Sequence, residues 1–167
     1  MKKSLLFIII FMLALQGWGC KPQPPKNAET FFKEGDALLV AGKNEEAVKA
    51  FDAAIGMNPG YAAAWFYKGN ALSSIGKKLE AVDSYNKAIE FAPTIPQPYY
   101  NKGVVLATLG MNGEALEAFD QTIKLDPKHV KAYFNKGLLL KRMGRADEAN
   151  EAFAKAKELD PNAPVPK

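Results

Sequence analysis

Cysteine and histidine, the side chains that most often serve as nucleophile, general base or metal ligand, occur once each in this 167-residue chain, as Cys20 and His129. A Cys–His couple would need these two singletons to meet, with the imidazole taking the thiol proton. One of each leaves no Cys/His zinc set, and a lone Cys closes no internal disulfide. His129 ends Asp126-Pro127-Lys128-His129, a turn sequence, and is expected as an exposed turn residue, not a base or ligand. Ser73-Ser74 has no histidine near it in sequence to draw off a hydroxyl proton. The many glycines fall in or at the ends of helical patterns, not between a strand and a helix where backbone N–H groups cradle phosphate. Carboxylates are spread over polar helix faces. The expectation is a chain with no catalytic residues, no metal, no cofactor and no enzymatic activity.

Cys20 has a different chemistry available. Met1-Lys2-Lys3 is a short positive start, Leu5 to Leu15 is apolar, and Gln16-Gly17-Trp18-Gly19 precedes the cysteine. This is the layout of a secretory signal, and the apolar run is about half the roughly 20 residues that a membrane-spanning helix requires. The segment resembles a bacterial lipoprotein signal, in which the cysteine is lipidated and becomes the mature N-terminus. Gly19 fits that pattern; Gly17 stands where an aliphatic residue is usual. Gly17-Trp18-Gly19 also satisfies the small-x-small rule for ordinary cleavage, which would release a soluble exported protein, and an uncleaved anchor is the third reading. Export is common to all three. Under lipidation, Lys21 after the cysteine resembles outer-membrane sorting in a Gram-negative cell. Residues 20–27, with Pro22, Pro24 and Pro25, form either a stiff polyproline tether or a leader without a role.

The formal charge of +4, from 22 basic and 18 acidic residues, loses Lys2 and Lys3 with the signal and falls to +2. Such a balance does not make the dense basic face that nucleic acid demands. A hydrophobic fraction of 48% excludes a disordered chain.

From Ala28 the sequence repeats every 34 residues, in windows 28–61, 62–95, 96–129 and 130–163, leaving 164–167 as a tail. Glycines recur at Gly35, Gly69, Gly103 and Gly137, and seven residues later at Gly42, Gly76, Gly110 and Gly144. Leucines recur at Leu38, Leu72, Leu106 and Leu140, and Glu-Ala pairs begin at Glu46, Glu80, Glu114 and Glu148. Pro59, Pro93, Pro127 and Pro161 close the units. Aromatic residues hold an early place (Phe31, Trp65, Tyr99, Tyr133) and a late one (Phe51, Tyr85, Phe119, Phe153). Trp65, Leu72 and Ile75 share one face of a helix that Gly76 ends. Ala81, Tyr85, Ala88 and Ile89 share one face of a second, starting at Leu79 or Glu80 and stopped by Pro93. Gly69 inside the first helix costs about 1 kcal/mol against Ala, so its recurrence predicts a close approach by the partner helix. Each hairpin leaves an apolar flank that a neighbour must cover.

This order of residues at this period resembles the tetratricopeptide repeat family over 136 of 167 residues. The resemblance implies an all-α, α-α superhelix: a right-handed solenoid of four helix-turn-helix repeats and eight helices. It also implies a protein-interaction module, with the first helices lining a concave face. In the last repeat Asn150 replaces Val48, Val82 and Leu116, and Lys157 replaces Ile55, Ile89 and Ile123. An aliphatic seat worth about 2 kcal/mol per residue is given up there, which predicts a solvent-facing end.

The concave face should carry Phe32 and Asp36 from repeat one, then Phe66, Tyr67 and Asn70 from repeat two. Repeat three offers Tyr100, Asn101 and Val104; repeat four offers Lys131, Phe134, Asn135, Leu138, Lys141 and Arg142. The row Phe32, Phe66, Tyr100, Phe134 either packs between repeats or anchors a bound peptide. The asparagines could bond a ligand's backbone, and Lys131, Lys141 and Arg142 could steer an acidic segment. Some chaperone adaptors of the family hold a terminal carboxylate with two Asn, two Lys and one Arg. Asn70, Asn101 and Lys131 match three of those places, while Phe66 and Asn135 occupy the other two and remove most of the charge. By repeat the net charge runs −3, +1, −1, +2. The expected protein is a scaffold or adaptor of the bacterial envelope, exported and membrane-anchored through Cys20 or else soluble in the periplasm. Its partner would be a peptide or helix in the groove. The alternative is head-to-tail self-association, the acidic first repeat of one copy meeting the basic fourth repeat of another.

Overall fold

The computed structural model describes residues 27–164. Residues 1–19, read above as an export signal, Cys20, the segment up to residue 26 read as a tether or leader, and residues 165–167 of the tail lie outside it. Among the described residues there are eight helices and no strand: α1 Ala28–Val40, α2 Asn44–Met57, α3 Ala62–Ser74, α4 Lys78–Phe91, α5 Pro96–Thr108, α6 Asn112–Leu125, α7 Val130–Arg142 and α8 Ala146–Leu159. The second helix of repeat two begins at Lys78, a residue or two before the position read from the sequence.

Every first helix ends in the same way. The N–H of Lys77 reaches back to Leu72 O at 2.9 Å and that of Gly76 to Ser73 O at 3.1 Å, the two reverse bonds of a Schellman motif. Gly76 holds φ +81°, a left-handed conformation that costs a side chain-bearing residue about 1–2 kcal/mol. The same bonds recur seven residues after the inner glycine of each unit, which turns the chain sharply into the second helix. There an acidic residue lies in the first turn, where the helix dipole favours it: Glu46, Glu80, Glu114 and Glu148.

Within each hairpin the late aromatic lies flat against the inner glycine. A Cβ on Gly69 would stand 2.6 Å from Tyr85 Cε1, and one on Gly35 the same distance from Phe51 Cε1. What presses on the glycine is the partner helix's ring; the Ala that follows the recurring Glu (Ala47, Ala81, Ala115, Ala149) is buried beside it. Phe51, Tyr85, Phe119 and Phe153 are all buried, and each fills the middle of its own repeat. Two of the early aromatics act as clips: Trp65 Nε1 donates to Pro59 O at 2.8 Å and the Tyr99 hydroxyl to Pro93 O at 3.2 Å, fixing the turns that enter the second and third hairpins.

Neighbouring hairpins stack in sequence order. Consecutive first helices (α1 and α3, α3 and α5, α5 and α7) also touch one another, whereas no consecutive pair of second helices does. The array therefore bends with its first helices inside. Val48, Val82 and Leu116 sit half-buried between repeats, while Asn150 and Lys157 at the matching places of α8 are exposed, as the sequence predicts. Ion pairs reinforce two of the junctions from outside: Lys68 with Asp52 at 2.6 Å, and Lys136 with Asp120.

Candidate functional site

The inner surface is built from the side chains of α1, α3, α5 and α7 that turn away from their partner helices. The aromatic row Phe32, Phe66, Tyr100 and Phe134 is half-buried throughout. Each ring rests on the buried aromatic of its own repeat, at centroid distances of 5.8, 6.1, 6.1 and 5.8 Å. The row is thus packed first within repeats, and the outer part of each ring remains on the groove surface. Tyr67 and Val104 are also half-buried, Asp36 and Lys131 are exposed, and Leu138 shows 39% of its surface.

At the centre of the groove the asparagines bond one another. Asn70 Oδ1 accepts the Tyr85 hydroxyl at 2.9 Å and Asn101 Nδ2 at 2.8 Å, and Gln97 Nε2 donates to Asn101 Oδ1 at 2.8 Å. Farther along, Asn135 Nδ2 donates to the Tyr100 hydroxyl at 2.9 Å. The expectation that these amides stand free for a ligand's backbone is therefore corrected: Asn70 Oδ1 and Asn101 Oδ1 already accept, and they tie repeats two and three together. Asn70 Nδ2 and the Tyr100 O–H remain as donors into the groove. Burial pushes the Tyr85 hydroxyl up to about 12, opposed by the Asn101 amide beside it, and pushes Tyr100 upward too, opposed by Asn135.

Two further sequence readings change. Arg142 does not stand ready for an acidic partner, because its Nη2 donates to Ala107 O and to Asn112 Oδ1, both at 2.9 Å. It thereby adds a second bond to a terminal carbonyl of α5, beside that from Gly110 N, and binds repeat four to repeat three. His129 is no exposed turn residue. It is half-buried, its Nδ1 accepts from Ala132 N at 3.2 Å as the N-cap of α7, and its ring lies 4.8 Å from that of Tyr100. The cap position and the neighbouring aromatic, not the turn sequence alone, set its environment.

The same groove recess occurs at successive junctions with different linings. Between repeats two and three Asn70, Ser73, Tyr85, Tyr100, Asn101 and Val104 line about 300 Å³ of mixed polar and apolar surroundings. One repeat later the equivalent positions are Val104, Ala107, Phe119, Phe134, Asn135 and Leu138; of these all but Phe134 line a recess of about 200 Å³, with Arg142 at its edge. Among the described residues no group of three or more His, Cys, Asp or Glu could hold a metal ion, and no helix is long and apolar enough to cross a membrane.

A sequence profile described as tetratricopeptide repeat matches residues 32–96 and 100–164. The chain belongs to the tetratricopeptide repeat family. Among solved structures, a crystal structure of MamA superposes with a TM-score of 0.80 at 30% identity, covering 82% of this chain and 80% of that one. A second, of MamA protein, gives 0.78 at 30% identity over 85% and 81%. MamA 41-end from Desulfovibrio magneticus RS-1 gives 0.77 at 25% identity over 83% and 78%. No curated protein sequence matches. The tetratricopeptide array and these neighbours support the coarse role of a protein-interaction scaffold.

Proposed function

We propose that this tetratricopeptide protein is a non-enzymatic adaptor of the bacterial cell envelope, and that its concave face holds a peptide or helix of a partner protein. The observation that carries the reading is the inner surface itself: half-buried aromatic rings at the repeat spacing, with a recess at successive junctions whose lining is mixed at the second and mainly apolar at the third. A surface of partly exposed rings beside fixed hydrogen-bond donors suits peptide capture, since aromatic anchors supply most of the energy in such interfaces. The scattered carboxylates, the helix-capping histidine and the bonded groove amides supply no convergent nucleophile and base. Lipidation at Cys20 would hold the array at a membrane, with residues 20–27 as spacer.

Crosslinking in intact cells followed by capture tests the groove. Leu138→Glu places a charge in the apolar recess at an exposed position, so the fold survives, and partner crosslinks should be lost. Recovery of the same crosslinked species by this variant and by wild type would refute groove binding. For the anchor, labelled palmitate should be incorporated by wild type and not by Cys20→Ala; equal labelling of both disposes of lipidation.

A further inference from the structure

The position that closes each junction from the groove side differs between repeats in a way that leaves one gap. Tyr61 stands 5.1 Å from the Phe32 ring at the first junction, and His129 stands 4.8 Å from the Tyr100 ring at the third. The equivalent residue at the second junction is Ile95, which has no ring to lay over Phe66 and remains 49% exposed. The adjoining positions are small as well. Ala63 stands where the other repeats have Glu29, Gln97 and Lys131, and Ala92 where they have Asn58, Asp126 and Asp160. The result is a cavity of about 370 Å³ lined by Ala63, Phe66, Ala88, Ala92, Ile95 and Pro98 among others, almost wholly apolar. Gln97 on its rim is the residue that donates to Asn101, so the cavity opens directly beside the polar network of the groove.

Resting on the groove reading above, we infer that this gap is an anchor socket for one bulky apolar side chain, Phe, Leu or Met, carried by a partner segment with basic residues on its repeat-one side and acidic residues on its repeat-four side. The gap between two repeats occurs where the other two junctions supply their own plug, so a side chain from outside completes a pattern the fold already uses twice. Charge sets the flanks. Asp36 is exposed on the inner face of repeat one, whose net charge is −3, and Lys131 is exposed at the edge of repeat four, whose net charge is +2. A segment lying across both ends meets opposite signs at the two sides of the socket, which fixes its orientation and speeds its capture. The neutral amides between them impose no charge on the residues next to the anchor.

The test uses a phage-displayed library of random peptides selected on the full chain, followed by fluorescence-polarisation affinities of the peptides recovered. The expected peptides share one bulky apolar residue with basic residues to one side and acidic ones to the other. Replacing that residue by Ala should weaken binding about tenfold or more, as loss of a buried apolar side chain does. Ile95→Tyr, which installs the plug of the first junction at an exposed site, should weaken binding to a similar extent, and Gln121→Ala, at an exposed site on the second helix α6, should leave it unchanged. Peptides that lose affinity for Leu138→Glu but bind Ile95→Tyr like wild type would overturn the socket while leaving groove binding intact. An apolar anchor without the charge pattern, or with basic residues shown by crosslinking to lie at repeat four, would overturn the stated partner. Peptides indifferent to both variants, or none recovered, would overturn groove binding and the socket together.

Discussion

A glycine can be required because there is no room for a side chain or because its backbone angle suits no other residue, and each repeat contains one of each kind. Gly69 has ordinary helical geometry, yet a Cβ would stand 2.6 Å from a buried tyrosine ring that cannot withdraw. Gly76 has open space around it and φ +81°. Gly69→Ala should therefore lose about 1–3 kcal/mol by overpacking despite the gain in helix propensity. Gly76→Ala should lose about 1–2 kcal/mol through strain, and Gly76→Asn less, since Asn tolerates the left-handed region. Urea unfolding separates the two: a smaller residue on the facing helix, Tyr85→Leu, should relieve the cost at position 69 and do nothing for position 76. Tyr85 itself carries a pH signature. Its hydroxyl sits at about 12 in the fold against an ordinary value of 10.0, so its contribution is complete below about pH 10 and is lost as pH rises toward 12, where the unfolded state releases its proton first. Unfolding midpoints at about pH 8 and about pH 11 should fall less in Tyr85→Phe than in wild type. The variant should also be weaker near neutrality by about 1 kcal/mol for the lost bond to Asn70.

The helices and their ends could be read from the sequence because stacked hairpins impose the same demand every 34 residues. A ring needs its glycine, a turn its left-handed residue and a helix start its acidic side chain, and each demand is met four times over. What could not be read belongs to positions where the repeats differ. Position 142 shows why: its equivalents Ser74 and Thr108 bond carbonyls of their own helices, Asn70 O and Val105 O, at 3.0 and 2.7 Å. Arg142 is long enough to cross the junction instead and to reach Ala107 O and Asn112. No periodicity announces such a bond, which depends on reach and on a carbonyl at the end of α5 that accepts a second bond beside that from Gly110 N. The Asn70–Asn101 bond escapes for the same reason, as a pairing between different positions of adjacent repeats, and the contact of the His129 ring with Tyr100 escapes because the other repeats hold Tyr61, Ile95 and Ala163 at that place. Arg142→Gln should lower stability by about 1 kcal/mol in urea unfolding, whereas Lys131→Gln, which removes the same charge from an exposed place, should leave it unchanged. Equal losses in the two variants would mean that charge, and not the link between α5 and α7, is what Arg142 contributes.

An array held together only by neighbour contacts must do something with its two outer faces, and those faces govern whether copies stack. On α8 the places that seat the next repeat elsewhere hold Asn150, Ala154 and Lys157. On α1 the receiving places, which are Ala64, Lys68 and Ala71 in repeat two, hold Thr30, Glu34 and Ala37. Continuing the stack from one copy to the next would set Glu34 against Ala154, where the internal junctions pair Lys68 with Asp52 and Lys136 with Asp120. It would also bury Lys157 in place of an aliphatic, against a desolvation cost greater than one exposed ion pair returns. The opposite net charges of repeats one and four draw copies together at long range, but the short-range surfaces do not fit. Wild type should therefore sediment as one species across micromolar concentrations, with any weak association abolished by salt. Asn150→Val with Lys157→Ile restores the aliphatic seat and leaves it uncovered, so this double variant should associate with increasing concentration, and salt should not disperse it. A wild-type chain that already forms long oligomers, unaffected by salt, would show that the polar end of α8 is no barrier, and would favour stacking over partner capture as the use of the array.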